Sequence, residues 1–187
     1  MVVSRFAAVA AVAVFLAGCG QDAQFLVEAS APVREVRLRV ASLELREVSL
    51  PAYAIAADIL QEEADGALRP IRKAVWADGS ARGVTAEMAR SLDLRTSAEV
   101  AAEPWPLAEP ADARLEVRIE RIVARADGTF QLAGQYAVAS PEGRIREFIE
   151  RFDIRVPVTQ AGPAAIASAN GVAVGQLADA IVARLRG

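Results

Sequence analysis

The most regular pattern in the chain is the run "ARLEVRIE", where Leu115, Val117 and Ile119 alternate with Glu116, Arg118 and Glu120. A period of two puts the two sets on opposite faces, which predicts a strand with one dry and one wet side. The Asp127-Gly128 pair marks a turn, and beyond it Phe130, Leu132, Gly134, Tyr136 and Val138 again share one face. The two runs therefore form an antiparallel hairpin. "SPEG" at 140–143 reverses the chain again into a strand carrying Phe148, Phe152, Ile154 and Val156, which completes a three-stranded meander.

Upstream the runs are shorter. "FLVEAS", from Phe25, is the first strand-like stretch of the folded chain. Val36, Leu38 and Val40 alternate with Arg37 and Arg39, the pattern of a half-buried strand; the apolar phase then slips by one to Leu43 and Leu45, placing a bulge or break near Ser42. "ILQEEADGALRPI" reads as two short strands about an Asp65-Gly66 turn, with Pro70 confining the second to a sheet edge.

Two stretches change period. Ala81, Val84, Met88 and Leu92 recur three or four residues apart and form one face of a helix, with Ser80 as its cap and Gly83 as a weak point. The prolines of "EPWPLAEP" then impose an extended or turning path. At the end of the chain Pro163 suits a first helical turn. Ile166, Ala169, Ala173, Leu177, Ile181 and Leu185 make an apolar stripe, with Asp179, Arg184 and Arg186 outside it. Gly171 and Gly175 cost about 1 kcal/mol each relative to alanine, so packing must hold this helix in place. Its small residues permit close approach of another backbone, either the domain's own or that of a second copy. The predicted fold is α+β: a single layered domain, a mixed or antiparallel sheet with a β-meander, and two main helices packed on it.

The first residues belong to a different class. Phe6 to Ala17 is an uncharged apolar run of twelve residues preceded by Arg5, too short for a bilayer that needs about 20 and suited to a signal-peptide core. It ends in Leu16-Ala17-Gly18-Cys19, which contains the only cysteine of the 187 residues. That order resembles the lipobox of bacterial lipoproteins, and the resemblance implies cleavage between Gly18 and Cys19 and acylation of Cys19. A lone free thiol would be unusual in an exported protein, whereas several acyl chains hold a protein at a membrane stably. Residue 20 is glycine and not the aspartate that retains such proteins at the inner membrane, so the outer membrane is expected. The division is signal peptide 1–18, lipidated tether 19–24 and folded domain 25–187. Five extended residues after Cys19 reach about 18 Å, and a mature chain of this length folds to a body about 40 Å across, so the domain sits beside the membrane that holds its anchor.

Composition narrows the chemistry. The apolar fraction is 53% and the charged fraction 24%, a globular balance. Histidine is absent, which removes the commonest general base and metal ligand, and a single cysteine excludes a multi-thiolate metal site. No cofactor or metal is expected. The net charge is −3 with arginines spread along the elements, so nucleic acid is not expected as a partner. Glu62 with Glu63, or Glu116 with Glu120, offer paired carboxylates, but a solvated strand face accounts for both.

Several landmarks occur in order: "LPAY" at Leu50 to Tyr53, "VWADG" at Val75 to Gly79, "PWP" at Pro104 to Pro106, the "ARLEVRIERIVARADGTFQLAGQYAV" hairpin and the alanine-rich closing helix. Together they resemble the ABC-type transport auxiliary lipoproteins, the family of paraquat-inducible protein C. The sequence departs from the family's Trp-Ala-Glu-Pro-Leu pattern by having Asp78, Gly79 and Ser80 after Trp76 and Ala77, and Ala54 follows Tyr53 where leucine is typical. The resemblance implies a non-catalytic lipoprotein facing the periplasm, working with an MCE-domain protein of a lipid transport system. Tyr53, Trp76 and Trp105 are the candidate partner contacts, because such side chains supply large contact area at low entropic cost. The competing description of Tyr53 and Trp76 is packing against the sheet edge, and of Phe130, Tyr136, Phe148 and Phe152 a core role in place of a lipid pocket. A homo-oligomer is compatible with a tubular partner. The alternative functions are an envelope regulator that binds a peptidoglycan-related or other envelope protein, and a periplasmic hydrolase with a carboxylate of raised pKa in a cleft.

Overall fold

The computed structural model describes residues 22–30 and 35–186. The signal peptide 1–18, Gly18, Cys19 and the start of the tether lie outside the described residues.

The strands are β1 (Ala23–Phe25), β2 (Ser42–Leu45), β3 (Asp58–Glu62), β4 (Leu68–Trp76), β5 (Glu99–Ala102), β6 (Ala113–Ala124), β7 (Thr129–Ala139) and β8 (Phe148–Pro157). The helices are α1 (Ser80–Asp93) and α2 (Pro163–Arg186). The architecture is α+β, one mixed eight-stranded sheet among the described residues with both helices packed on it.

Alternation built the meander as expected. β6 pairs antiparallel with β7 from Arg114↔Ala139 to Ala124↔Phe130, and β7 with β8 from Thr129↔Pro157 to Val138↔Phe148. Leu115, Val117, Ile119, Phe130, Leu132 and Val138 form the buried face. The β6–β7 ladder slips between Ile119 and Arg121, and Gly134 lies opposite the slip. A Cβ at Gly134 would overlap the carbonyl oxygen of Arg118, so the bulge and the glycine require one another.

The other edge of β6 is shared. β2 runs parallel to it at Ala113–Leu115, β3 meets it at Ala124, and a single bridge at Ser49↔Arg118 lies between. Along this branch the order is β1-β4-β3-β6-β2-β5. The Asp65-Gly66 turn joins β3 to β4, with Gly66 at φ 81°. Pro70 pairs only with Leu60 of β3, because β1 covers β4 just from Ala74 to Trp76; its missing N–H faces an open edge.

Four local expectations need correction. Val36, Leu38 and Val40 do not make a strand: Leu38 and Val40 are buried, but only Val36 forms a bridge, to Thr96, and the ladder starts at Ser42, where the phase slips. The segment is extended and held beside 95–99 by single bonds, including Val36 N–H to the Arg95 carbonyl at 2.7 Å. "FLVEAS" is a strand only as far as Phe25. β5, a four-residue edge strand ahead of the proline-rich stretch, was not anticipated. Ser80 is not the cap of α1: Gly79 occupies that position, and the Ser80 hydroxyl donates to the Ala56 carbonyl at 2.9 Å.

The apolar stripe of α2 is buried residue for residue, from Ile166 to Leu185. Helix α2 is long and apolar enough to cross a membrane, yet two-thirds of its most hydrophobic window (67%) is buried inside the domain, so it is the core helix. Its small residues receive the chain's own amino-terminal segment. A Cβ at Gly171 would overlap the Glu28 carbonyl, and one at Gly175 would meet the Arg95 guanidinium at 3.2 Å and Ala29 at 3.6 Å.

Candidate functional site

The amino-terminal segment is gripped from three directions. β1 pairs parallel to β4, with Phe25 opposite Trp76. The Ala29 N–H donates to the Glu87 carboxylate at 2.8 Å, and the Arg90 guanidinium donates to the Ala29 carbonyl at 3.3 Å. Arg95, 4% exposed, donates to the Ser30 carbonyl at 3.1 Å and to Asp179 of α2 at 2.7 Å. Glu87 also binds Arg90 at 2.8 Å, and this carboxylate raises the guanidinium's already high pKa. These charge-assisted bonds replace the apolar contacts that a glycine-lined track cannot supply.

Trp76 closes β4 at the mouth of this arrangement. Its backbone N–H donates to the Ala57 carbonyl at 2.7 Å, and the backbone N–H of Ala77 donates to the Phe25 carbonyl at 2.8 Å. The indole is half-buried against the core and forms a wall between two hollows. On one side lies an open groove of about 500 Å³ between Phe25–Ala29 and the Gly83, Ala86 and Glu87 side of α1. That volume falls within the roughly 300–1,000 Å³ range of small-molecule sites, and Leu26 stands 61% exposed on its rim. On the other side is a small pocket of about 30 Å³ bordered by Tyr53, Asp58, Phe130 and Asn170. Asn170 is 1% exposed and its Oδ1 has no hydrogen-bond partner among the described residues. A cavity this small and partly polar suits one water and not a lipid chain.

Tyr53 and Trp76, two of the predicted contact residues, thus share one cavity wall; Trp105 is separate. Tyr53 sits in a short turn (Ala52–Ala54) where β2 and β3 diverge, and its hydroxyl accepts the Ile122 N–H at 3.0 Å, replacing a missing ladder partner. Trp105 follows β5, on the far side of β3, β6 and β2 from β4, and its indole N–H donates to the Glu109 carbonyl at 2.8 Å. Asn170 and Glu87 were missed by sequence reasoning. Asn170 lies four residues after Ile166 and three before Ala173, so a polar residue inside the stripe was the available signal.

The groove's Ser80 and Glu87 are engaged within the fold. The Ser80 hydroxyl donates to a backbone carbonyl and not to a base, and Glu87 is saturated by a backbone N–H and Arg90. Elsewhere, Tyr136 donates to Glu150 at 2.9 Å, and Glu150 also accepts from Arg184 of α2. Burial pushes the Tyr136 hydroxyl well above the ordinary phenol range, with the Glu150 bond adding to it. Arg184, then Tyr136, hold the Glu150 carboxyl below its usual range.

The family model of the ABC-type transport auxiliary lipoprotein component matches residues 25–182. The chain belongs to this family. It is accordingly an auxiliary lipoprotein of an ABC-type transport system, hence membrane-anchored, and that role is consistent with a non-catalytic protein. No curated protein matches the chain. Among solved structures, an uncharacterized protein is similar at 13% identity and TM-score 0.67, over 84% of this chain and 99% of its own. A Xanthomonas campestris protein is similar at 17% identity and TM-score 0.62, over 88% and 93%. A PelC dodecamer from Paraburkholderia phytofirmans is more distant, at 11% identity and TM-score 0.42 over 84% and 91%. The first two likenesses establish the shared fold.

Proposed function

We propose that this auxiliary lipoprotein is a non-catalytic docking component at the outer membrane, serving an MCE-type ABC system that moves lipid between the two membranes. The observation that carries the reading is the family match across residues 25–182, to which the Leu-Ala-Gly-Cys motif and Gly20 add the anchor and its membrane. Geometry supports a docking role. The fold takes up the chain at Ala23, four residues after Cys19, so a tether of at most about 14 Å ties the body to one bilayer. A domain about 40 Å wide on such a tether does not bridge two membranes, and the partner must reach it.

The partner is an MCE-domain protein, with Tyr53, Trp76 and Trp105 as its contact residues and a ring of copies as a natural match to a tubular partner. Replacing Cys19 with serine should abolish membrane retention while leaving the domain folded. Crosslinked cells should yield the wild-type protein together with the MCE-domain protein. Unchanged outer-membrane fractionation of the variant would remove the anchor from the reading, and repeated absence of the MCE protein would remove the partner.

A further inference from the structure

The last turn of α2, the first residue of β8, the loop before it and the extended segment at Arg39 border a further hollow of about 260 Å³. Its lining is of two kinds: the arginines Arg39, Arg146 and Arg184, and the apolar residues Ile145, Phe148 and Leu185. The Arg184 guanidinium carbon lies 4.2 Å from the centre of the Phe148 ring, so cation and aromatic face form one continuous wall.

The charges here are not explained by local structure. Arg184 and Arg186 in the last turn of α2 complement the negative end of the helix dipole, and Arg184 also uses its Nε for Glu150. Arg39 and Arg146 come from other segments, are exposed, and form no ion pair among the described residues. The nearby acids are engaged: Asp112 by Arg144 at 2.8 Å, and Glu147 by the Ser140 N–H at 3.0 Å. In a chain of net charge −3, three arginines therefore line one hollow together with apolar residues, and among the described residues Glu150 is the single acid paired to any of them.

We propose that this hollow binds a phosphate-bearing amphiphile, with Arg39, Arg146 and Arg184 taking the phosphate and Ile145, Phe148 and Leu185 the adjoining carbons. Planar guanidinium groups match phosphate oxygens in a fork geometry, and the weak hydration of arginine suits a site beside an aromatic ring. The volume is below that of a typical small-molecule pocket, so it accommodates a headgroup and its first carbons while the acyl chains stay outside. The proposal rests on the lipid-transport reading above for the source of the ligand, a membrane phospholipid.

The test uses the full mature chain with Cys19→Ser, so that no acyl anchor competes, and three soluble probes: dihexanoylphosphatidylglycerol, inorganic phosphate and uncharged hexyl glucoside. Titration calorimetry should show the phospholipid binding at least tenfold more tightly than either other probe. Amide shifts should be confined to residues near Arg39, 145–149 and 182–186. The Arg39→Gln/Arg146→Gln double variant, changed only at exposed positions, should keep its unfolding midpoint and lose at least tenfold in phospholipid affinity. Equal affinity for inorganic phosphate and phospholipid would overturn the amphiphile, and undiminished binding by the double variant would overturn the site. A protein that fails to bind the phospholipid yet still captures its MCE partner overturns this proposal alone. Loss of the partner with phospholipid binding intact overturns the transport reading alone.

Discussion

Strands β6 to β8 and helix α2 meet mainly through apolar side chains, with the Tyr136–Glu150–Arg184 contact as the polar exception. Leu115, Val117, Leu132, Leu177 and Ile181 lie in a dry layer, and each meander strand pairs with its neighbour in sequence. Residues 22–30 add little to that layer: Ala29 is buried, Phe25 and Val27 are half-buried against it, and β1 pairs with β4 over three residues only. They pass over Gly171 and Gly175 and are fixed by Glu87, Arg90 and Arg95, partners 58 to 65 positions away. Apolar burial in a regular ladder is shared among many residues and yields cooperatively, whereas a strap held by a few directed bonds can open without the rest. The strap is also the part that leads to the anchor. Force or rotation imposed by the membrane reaches the body first through the β1–β4 ladder and then through α1 and α2, not through the meander.

The largest effect is expected where the dry layer is broken. Phe130→Ala removes a ring that is 2% exposed and should cost about 3–5 kcal/mol, with tryptophan fluorescence and circular dichroism transitions moving together in a denaturant titration. Separate transitions would show that the meander is not one cooperative unit. A smaller and more local loss is expected from Glu87→Ala, which leaves the Ala29 N–H without its acceptor. The cost should be about 1–3 kcal/mol. Amide hydrogen exchange over 23–30 should accelerate while the β6–β8 amides keep their protection. Equal acceleration in the meander would erase the distinction between the two regions.

The same distinction governs what could be read beforehand. The meander and α2 were legible because burial there largely follows periods of two and three to four residues: the exceptions are Gln131, buried between Phe130 and Leu132, and the end of β6 beyond the bulge at Ile119/Arg121, which Gly134 accommodates. The segment 36–41 obeys the same burial rule with no ladder behind it. Leu38 and Val40 turn inward as their alternation implies, but the Leu38 N–H is taken by the Ser97 hydroxyl and that of Ala41 by Asp112, partners that no local pattern announces. The face of α1 was half legible. Val84, Met88 and Leu92 are buried as expected, while Thr85, Glu87 and Ser91 are buried too, because each bonds to a distant or local polar group. At the candidate site, the aromatic residues could be singled out by type. That Tyr53 and Trp76 share a wall and Trp105 does not depends on the order of strands across the sheet.

The smallest effect at neutral pH, and the one that grows with alkalinity, concerns the junction of the meander with α2. Tyr136→Phe deletes the hydrogen bond to Glu150, which keeps Arg184, so the loss near pH 7 should be about 1 kcal/mol. The folded protein holds the Tyr136 proton more tightly than the unfolded chain, because burial penalises the phenolate and Glu150 stands beside it. For a group whose pKa is raised on folding, the stabilisation is fully present below the unfolded value, about 10, and declines as pH rises above it. Wild-type stability should therefore fall above pH 10, by up to about 1.4 kcal/mol per pH unit from this group, while the phenylalanine variant lacks that decline. Denaturant titrations at pH 7 and pH 11 should show the wild-type advantage shrinking or reversing. A constant difference between the two proteins would mean that Tyr136 ionises equally in both states and that the β7–β8–α2 junction is wetter than its packing indicates.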